Sequence, residues 1–318
     1  MTFWTPSLKL NISMKRSFLI FLSIITLLIT FIGCIKEDLS DCKKEGVYLK
    51  LRHANRNQDR WIELEDINRL TLYAYNPQGL LQHTIDMTSM QVIDEYTLYV
   101  PIQHGDYQFV IWVGAKDEYY TMLAVEPGQS NLSQSQLQLK RNGANEVLPR
   151  PSELYYSSLD SVTVNHAEIH TLIANVTRFT SNIRIIMRGL ENQEESDHSF
   201  VIEDNNGTTG FKDLTIVNDD ILTYFPEYGS ISRASSSLIG YFTVMKLQQG
   251  RHPLLKLYSG DNELEKEWDL MDGLLVKYPE ADFTSGGDYE IIFTFDAGYL
   301  AFSITINGWE IMDEEITQ

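Results

Sequence analysis

Few side chains of this sequence have the types and spacing that catalysis or metal binding needs. The nearest candidate is the pair His166 and His170, with Glu168 between them. Residues four apart lie on one face of a helix or a strand, and imidazole and carboxylate groups are ligands of zinc. The surrounding VTVNHAEIHTLIAN indicates a turn and a strand, and such a pair needs further ligands from distant residues. We therefore interpret both histidines as structural, and we predict no metal site and no cofactor.

The short motifs of common enzyme classes are absent from the sequence. It contains no GxSxG, GxxxxGK, HExxH or CxxC, which mark serine hydrolases, phosphate-binding loops, zinc proteases and redox or zinc sites. The 44 acidic residues are so numerous that some pair must lie at a glycosidase-like separation by chance. We predict that the protein is not an enzyme. A surface glycosidase or protease-inhibitor module is a weaker alternative, which requires a concave polar site.

Aromatic side chains are the other feature that can carry binding, because rings stack on sugars and anchor protein partners. More often such rings fill the core and cover sheet faces, and this is our interpretation. We expect Tyr119 and Tyr120 to be the most exposed pair. The aromatic residues considered are Trp61, Trp112, Tyr119, Tyr120, Tyr155, Tyr156 and Trp309.

One cysteine has the position of a modified residue. The segment 17–33 is almost wholly apolar, follows Lys15 and Arg16, and ends directly before Cys34. This is the plan of a signal peptide, and the run is short for a membrane span. The residues FIGC resemble the bacterial lipobox, so we predict cleavage before Cys34 and lipidation of its thiol. An ordinary secreted protein with a free Cys34 is the alternative.

The segments around this signal peptide have no predicted fold. Met14, followed by two basic residues, resembles a translation start, so residues 1–13 are expected to be a start-site extension of the signal peptide 1–33. Residues 34–45 are predicted to form a lipidated acidic tether. Its IKED sequence resembles the charged signal that sends some Gram-negative lipoproteins to the cell surface, and a solvated linker is the alternative.

Charge and cysteine content narrow the class of protein further. A formal net charge of −19 without any basic run argues against binding to nucleic acid or to bare anionic lipid. If Cys34 carries lipid, Cys42 has no intramolecular partner, so the core must be stable without disulfides. Residues 34–318 are enough for two ordinary domains, each with its own core.

The hydrophobic pattern is that of an all-β protein. Short β-branched and aromatic runs of alternating polarity recur between Gly, Pro, Asn and Asp residues, as in sandwiches and barrels. The runs 96–102 and 107–113 are predicted to pair as a hairpin, and a second hairpin is predicted to start with 199–203 and the turn 205–207.

Two other segments differ from this pattern. The long run 169–187 is predicted to contain the last strand of one domain and the first strand of the next. The segment 268–278 is predicted to be a short helix, because Leu270, Leu274 and Leu275 fall on one face.

Several motifs, in their order along the chain, resemble one family. They are CIKEDLSDC at 34–42, LTLYAY at 70–75, GDYQFVIWVG at 105–114, LYYS at 154–157, TRFTSNIRI at 177–185, GDYEI at 287–291 and ITINGW at 304–309. This set resembles the FimB-type anchoring subunits of Bacteroidales fimbriae, which belong to the fimbrillin superfamily of type V pili. Ser157 departs from the pattern, since the family often has glycine there.

The resemblance implies two tandem transthyretin-like β-sandwich domains of Greek-key topology, which we place at 46–178 and 179–318, with the short helix in the second. It implies a lipid-anchored, surface-exposed protein of the outer membrane that anchors and initiates a fimbrium. Its partners would be stalk subunits, bound by β-augmentation. A stand-alone surface adhesin or glycan-binding lipoprotein is the alternative.

The same resemblance implies a strand-exchange polymer, in which a donated strand completes a sandwich that lacks one. A base subunit keeps its lipid only if its N-terminal segment stays attached. We therefore predict that the first strand, with Val47, Leu49 and Leu51, closes its own sandwich.

The polymer contact is then predicted to come from the C-terminal end. Trp309, Ile311 and Ile316 are the candidate anchors of a donated strand. A short frayed tail is the alternative, because the acidic residues 313–315 interrupt the apolar pattern.

Overall fold

The computed structural model describes residues 45–54, 60–166, 168–188, 198–217, 220–229, 237–258, 262–277, 279–296, 299–306 and 309–311. The predicted signal peptide, residues 34–44 of the predicted tether with Cys34 and Cys42, and Ile316 lie outside the described residues.

The described residues are mostly β-strand, because apolar side chains alternate with polar ones over short runs. The first strand illustrates the rule, since Val47, Leu49 and Leu51 are buried whereas Tyr48 and Lys50 are partly exposed. A period of two places these apolar side chains on one face of a strand.

The strands form in two groups along the chain. Up to residue 178 they are β1 (Gly46–His53), β2 (Leu70–Tyr75), β3 (Leu81–Asp86), β4 (Gln91–Asp94), β5 (Thr97–Pro101), β6 (Gly105–Val113), β7 (Tyr120–Leu123), β8 (Gln136–Leu139), β9 (Glu146–Val147), β10 (Tyr155–Val164) and β11 (His170–Arg178). After it they are β12 (Thr180–Arg188), β13 (Ser199–Asp204), β14 (Thr208–Gly210), β15 (Ile216–Val217), β16 (Leu222–Tyr224), β17 (Glu227–Tyr228), β18 (Ser237–Met245), β19 (Leu254–Tyr258), β20 (Leu264–Asp269), β21 (Asp288–Asp296), β22 (Tyr299–Ile306) and β23 (Trp309–Ile311).

Helical structure is scarce in the described ranges. It consists of two 3-10 turns, Leu64–Asp66 and Met87–Ser89, and the α-helix α1, Leu270–Lys277. The Asp269 carboxylate caps α1, because it accepts hydrogen bonds from the backbone N–H groups of Met271 and Asp272. Leu270 and Leu274 are buried, so the predicted all-β fold with one short helix in the second half is confirmed.

The helix α1 is also too short for a bilayer. No other helix within the described ranges has the length and apolar character of a membrane span.

An eight-stranded sheet dominates the first half of the chain. Its order is β3-β2-β6-β10-β11-β1-β5-β4, and β1 is parallel to β11 and antiparallel to β5. Strands from both ends of this order contribute to one buried cluster, for example Leu98 of β5 and Phe109 of β6. The sheet therefore curls over that cluster to form the two leaves of a sandwich.

The second half of the chain builds three further sheets. A six-stranded sheet has the order β17-β18-β12-β21-β22-β23, a five-stranded sheet β20-β19-β13-β16-β9, and a four-stranded sheet β15-β14-β8-β7. The last two combine strands from both sides of the predicted boundary at 178/179, through β16 with β9 and β14 with β8. The boundary stays a prediction, and these pairings join its two sides within one compact unit, residues 44–318.

A second buried cluster lies on the other face of β2 and β6. Leu72 and Ile111 belong to the cluster inside the eight-stranded sandwich, whereas Tyr73 and Trp112 belong to the cluster shared with the second half. All six residues of β2 are buried, as expected for a strand covered on both faces.

The run 169–187 was predicted to carry two successive strands, and this is confirmed. Only Phe179 separates β11 from β12. Phe179 is 1% exposed, its N–H donates to the Leu154 carbonyl, and its own carbonyl accepts from Lys246 N–H. The link between the two halves is therefore buried and hydrogen-bonded, so it cannot act as a free linker.

Both hairpin predictions are wrong. The strands β5 and β6 do not pair with each other, since β5 pairs with β1 and β4 whereas β6 pairs with β2 and β10. The short link 102–104 connects the two leaves of the sandwich. A link of that length can form either a hairpin turn or such a crossing, so its length did not distinguish the two.

The second predicted hairpin fails for a different reason. The strand β13 pairs with β16 and β19, and Asn206 of the predicted turn is 1% exposed. Its side chain accepts a hydrogen bond from the Tyr224 hydroxyl at 2.6 Å. Asn206 thus serves as a buried polar contact and not as a solvent-facing turn residue.

Gly114, at the end of β6, offers a test of this packing. Its φ is +82°, and an added Cβ would overlap the Glu153 carbonyl oxygen. We expect Gly114→Ala to lower the free energy of unfolding by about 3 kcal/mol. Gly128 is the matched control, because its φ is +76° and nothing lies within 4 Å of an added Cβ, so Gly128→Ala should cost only about 1 kcal/mol. Urea denaturation measures both, and equal losses would contradict the proposed overlap.

Candidate assembly site

The predicted self-closing strand lies in the interior of the eight-stranded sheet. Val47 pairs with Val100 of β5 and with His170 of β11. The side chains of Val47, Leu49 and Leu51 are 0%, 0% and 1% exposed. The first described strand therefore occupies the position between β5 and β11, where its absence would leave two open strand edges.

The start of β1 is held by neighbouring side chains. The Tyr99 hydroxyl donates to the Glu45 carbonyl at 2.6 Å, and an added Cβ at Gly46 would meet the Val100 carbonyl oxygen and the Tyr99 ring. Close backbone approach of this kind requires glycine. The chain thus enters the sheet at a fixed point directly after the predicted tether.

The other candidate residues lie at an edge of the six-stranded sheet. Trp309 and Ile311 belong to β23, which pairs antiparallel with β22 in the register Ile306 to Trp309 and Ile304 to Ile311. No described strand pairs with the outer edge of β23. An unpaired edge carries free backbone N–H and C=O groups, to which a strand of another chain can add.

The opposite edge of the same sheet is formed by β17, which has two residues, Glu227 and Tyr228. Pro226 directly precedes it, and a proline lacks the N–H that pairing needs. Very short edge strands and prolines are common protections against unwanted pairing. Both edge strands are short, and the proline beside β17 leaves the β23 edge as the better candidate for assembly.

A polar cluster fixes the six-stranded sheet where β11 passes into β12. Arg178 donates to Asp288 at 2.7 Å and to Glu153 at 2.8 Å. Asn182 donates to the same two carboxylates at 3.2 and 2.9 Å. The Arg178 side chain is only 15% exposed, so these charge-assisted bonds orient the start of β21 against the start of β12.

His166 and His170, which we interpret from the sequence as structural, do not converge on one point. The Nδ1 atom of His166 lies 2.5 Å from Glu45 Oε1, whereas the Nε2 atom of His170 lies 2.9 Å from Asn165 Nδ2. His166 instead forms a group of potential metal ligands with Glu45 and His104. Sequence spacing cannot identify it, because its members are separated by 59 and 121 residues.

The prediction of an exposed aromatic pair at 119 and 120 is wrong, because Tyr119 is partly buried against the core and Tyr120 is buried. This ring is 3% exposed, and its hydroxyl donates to the Ser152 carbonyl at 2.6 Å. Trp112 and Tyr156 are buried as predicted, whereas Trp61 is 37% exposed. It lines a cleft of about 500 Å³ together with His53, Asp66, Glu153 and Tyr155.

The sequence 39–315 matches the protein family described as fimbrillin-A associated anchor proteins Mfa1 and Mfa2. The chain belongs to this family. The resemblance seen in the sequence motifs is thereby confirmed, and the homology supports a fimbrial anchoring role at the cell surface.

Individual relatives agree with this assignment. The minor fimbrium anchoring subunit Mfa2 of Porphyromonas gingivalis is 24% identical over 298 residues, which cover 89% of this chain and 90% of that protein. The solved structure of the fimbrial anchor protein Mfa2 from the same organism matches with a TM-score of 0.65 and 19% identity, over 85% of this chain and 99% of that chain.

A third similarity concerns the fold alone. A Bacteroides thetaiotaomicron protein that was proposed to bind polysaccharides matches with a TM-score of 0.72 and 23% identity, over 85% of this chain and 99% of that chain. These structures share the β-sandwich architecture, and a shared fold does not fix a function.

Arg178 is predicted to stabilise the junction between β11 and β12 more than a surface ion pair would. The variant Arg178→Met keeps the apolar stem but leaves Glu153 and Asp288 without their cation, so the free energy of unfolding should fall by about 2 kcal/mol. Arg150→Met is the control, because Arg150 and Glu227 are 51% and 60% exposed, and such a pair contributes about 0–1 kcal/mol. Thermal and urea unfolding measure both, and a junction variant as stable as the control would refute the proposed role.

Proposed function

We propose that this protein is an outer-membrane lipoprotein that holds the base of a fimbrium to the cell surface. Acylated Cys34 is the membrane anchor in this proposal, β1 closes the sandwich of its own chain, and the β23 edge contacts a stalk subunit by strand pairing. Family membership supports the anchoring role. The membrane attachment and the mode of contact are the parts that need testing.

The observation that carries the proposal is the position of β1. The segment that follows the predicted tether is a fully paired interior strand with three buried side chains, Val47, Leu49 and Leu51. Residues 34–45 reach at most about 40 Å when extended. A lipid on Cys34 would thus be joined by a short covalent tether to the interior of the sheet, and removal of the N-terminal segment together with β1 would open that sheet.

The C-terminal edge supports the second half of the proposal. The strand β23 has three residues and pairs with one described strand, β22. Its other side forms the sheet edge that a neighbouring subunit would use. A stalk subunit can add a strand beside β23, or β23 with residues 312–318 can leave β22 and be donated. Both arrangements place the contact at the same end of the chain.

Membrane attachment is tested by Cys34→Ala, with Cys42→Ala as the matched control. We expect Cys34→Ala to abolish incorporation of labelled palmitate and to shift the protein, with its fimbriae, from the outer-membrane fraction to the medium. Cys42→Ala should leave both unchanged. Retention of label and membrane location in Cys34→Ala cells would refute the anchor.

The contact is tested by two truncations of different length. Deletion of 309–318 removes β23 and should release stalk polymer into the medium while the protein stays on the membrane. Deletion of 312–318 leaves β23 in place and should retain most of the stalk if the edge itself is the contact. Normal stalk retention after the longer deletion would exclude this edge.

A second candidate function is glycan binding in the cleft that Trp61 lines. An exposed indole ring with Asp66 and Glu153 in the same cleft has the composition of a sugar-stacking site. Trp61→Ala should then abolish glycan-array binding without affecting stalk retention, which separates this function from the anchoring role.

A further inference from the structure

Three side chains with metal-binding groups meet where the chain enters its first sheet. Glu45 directly precedes β1, His104 lies between β5 and β6, and His166 lies between β10 and β11. The parallel pairing of β1 with β11 and the antiparallel pairing of β1 with β5 bring these three connections to one end of the strands. The cluster is therefore a product of the topology and not of a local motif.

The donor atoms of the three side chains lie close together. The two carboxylate oxygens of Glu45 lie 2.5 Å from His166 Nδ1 and 3.3 Å from His104 Nδ1. The two imidazole rings pack against each other in a tilted arrangement, with centroids 3.5 Å apart and an angle of 30° between their planes. The donor atoms of all three residues lie within 4.8 Å of one another.

The carboxylate is positioned independently of the two rings. The backbone N–H of His104 donates to Glu45 Oε2 at 3.2 Å, and the Glu45 carbonyl is held by the Tyr99 hydroxyl. Glu45 is 31% exposed, whereas His104 and His166 are 53% and 65% exposed. An ion can therefore reach the donor atoms from solvent without any change in the core.

We propose that Glu45, His104 and His166 form a zinc-binding site with one open coordination position. Zinc is bound at about 2.0–2.2 Å by imidazole nitrogen and carboxylate oxygen, and three protein ligands leave a fourth position for water. Two ligand atoms of one zinc ion lie about 3.3–3.5 Å apart, which is the separation of Glu45 Oε2 and His104 Nδ1 at 3.3 Å. The shorter hydrogen bond between Glu45 and His166 opens when zinc displaces its proton. This proposal departs from the absence of a metal site predicted from the sequence.

Zinc at this position joins three connections that are far apart along the chain. It fixes the residue at which the chain enters β1 to the links on either side, and a cross-link of this kind restricts the open conformations of long loops. The site thus stabilises the end of β1 that adjoins the predicted tether. The zinc site is independent of lipidation and of stalk contact.

The neighbouring residues provide the controls. His170 lies four residues after His166, but its Nε2 atom faces the Asn165 amide and lies 3.7 Å from Glu168. A second group of potential ligands, His252, Asp269 and Asp272, is weaker because the Asp269 carboxylate already caps α1. His252 is 68% exposed, so His252→Ala removes this second group at little structural cost.

The experiment is a titration of the purified full-length chain in detergent with zinc chloride, in the His252→Ala background. We expect one zinc per chain by calorimetry, and chemical-shift changes in the His104 and His166 rings by NMR. His104→Ala and His166→Ala should each weaken binding by about tenfold or more. His170→Ala should leave the affinity within about twofold, because its ring does not reach the cluster.

Two results would overturn the proposal. In the first, millimolar zinc gives no heat of binding and leaves the chemical shifts of the His104 and His166 rings unchanged. The three side chains would then form a hydrogen-bonded cluster only. Loss of binding in His170→Ala, with normal binding in His104→Ala, would assign the metal to the local pair 166 and 170. The NMR titration of the His252→Ala protein shows whether zinc binds at His104 and His166, even if a variant that lacks one of these ligands does not fold.

Discussion

Trp112 packs against Phe179 and Phe211 with ring centroids 5.6 and 5.7 Å apart, on the face of β6 that points away from the first core cluster. Aromatic side chains bury about 150–250 Å² each, and at about 25 cal/mol per Å² each contributes roughly 4–6 kcal/mol. Because the opposite face of β6 is buried as well, this strand lies between two hydrophobic cores and packs against both. The second half of the chain therefore cannot separate from the first without exposing large rings to water.

Buried hydroxyl groups fix the orientation of the elements that pack around β6. Tyr75 donates to Ser135 Oγ at 2.9 Å, and Tyr156 donates to the Phe211 carbonyl at 2.8 Å. Burial raises the pKa of Tyr75 to about 12, so the phenol stays protonated and keeps its donor at any physiological pH. Each hydroxyl joins elements that are distant in sequence, and an unpaired one would carry the cost of desolvation. These contacts add specificity to a core that packing alone would hold together.

The features that the sequence predicted are those that local pattern determines. Val47, Leu49 and Leu51 alternate with polar residues, and Leu270 and Leu274 follow a helical period, so the strand and the helix were predictable from spacing. The two hairpin predictions were wrong because strand pairing depends on which strands compete for each edge. The length of a connecting segment carries no information about that competition. The cluster of Glu45, His104 and His166 was unpredictable for the same reason, since the parallel pairing of β1 with β11 creates it.

Two of the parallel strand pairs, β1 with β11 and β12 with β21, have a mechanical consequence under the proposal that the chain is held at its N-terminal end and pulled at its C-terminal edge. Tension that enters β1 at its start must pass to β11 and leave from the end of β11, so the seven residue pairs from Val47–His170 to His53–Val176 are loaded together in shear. Tension then crosses Phe179 into β12 and passes to the parallel β21, where Asn182–Asp288 to Arg188–Thr294 are loaded in the same way. Neither parallel pair can open one hydrogen bond at a time, as a peeled hairpin does, and this suits the role proposed above at the base of a fimbrium.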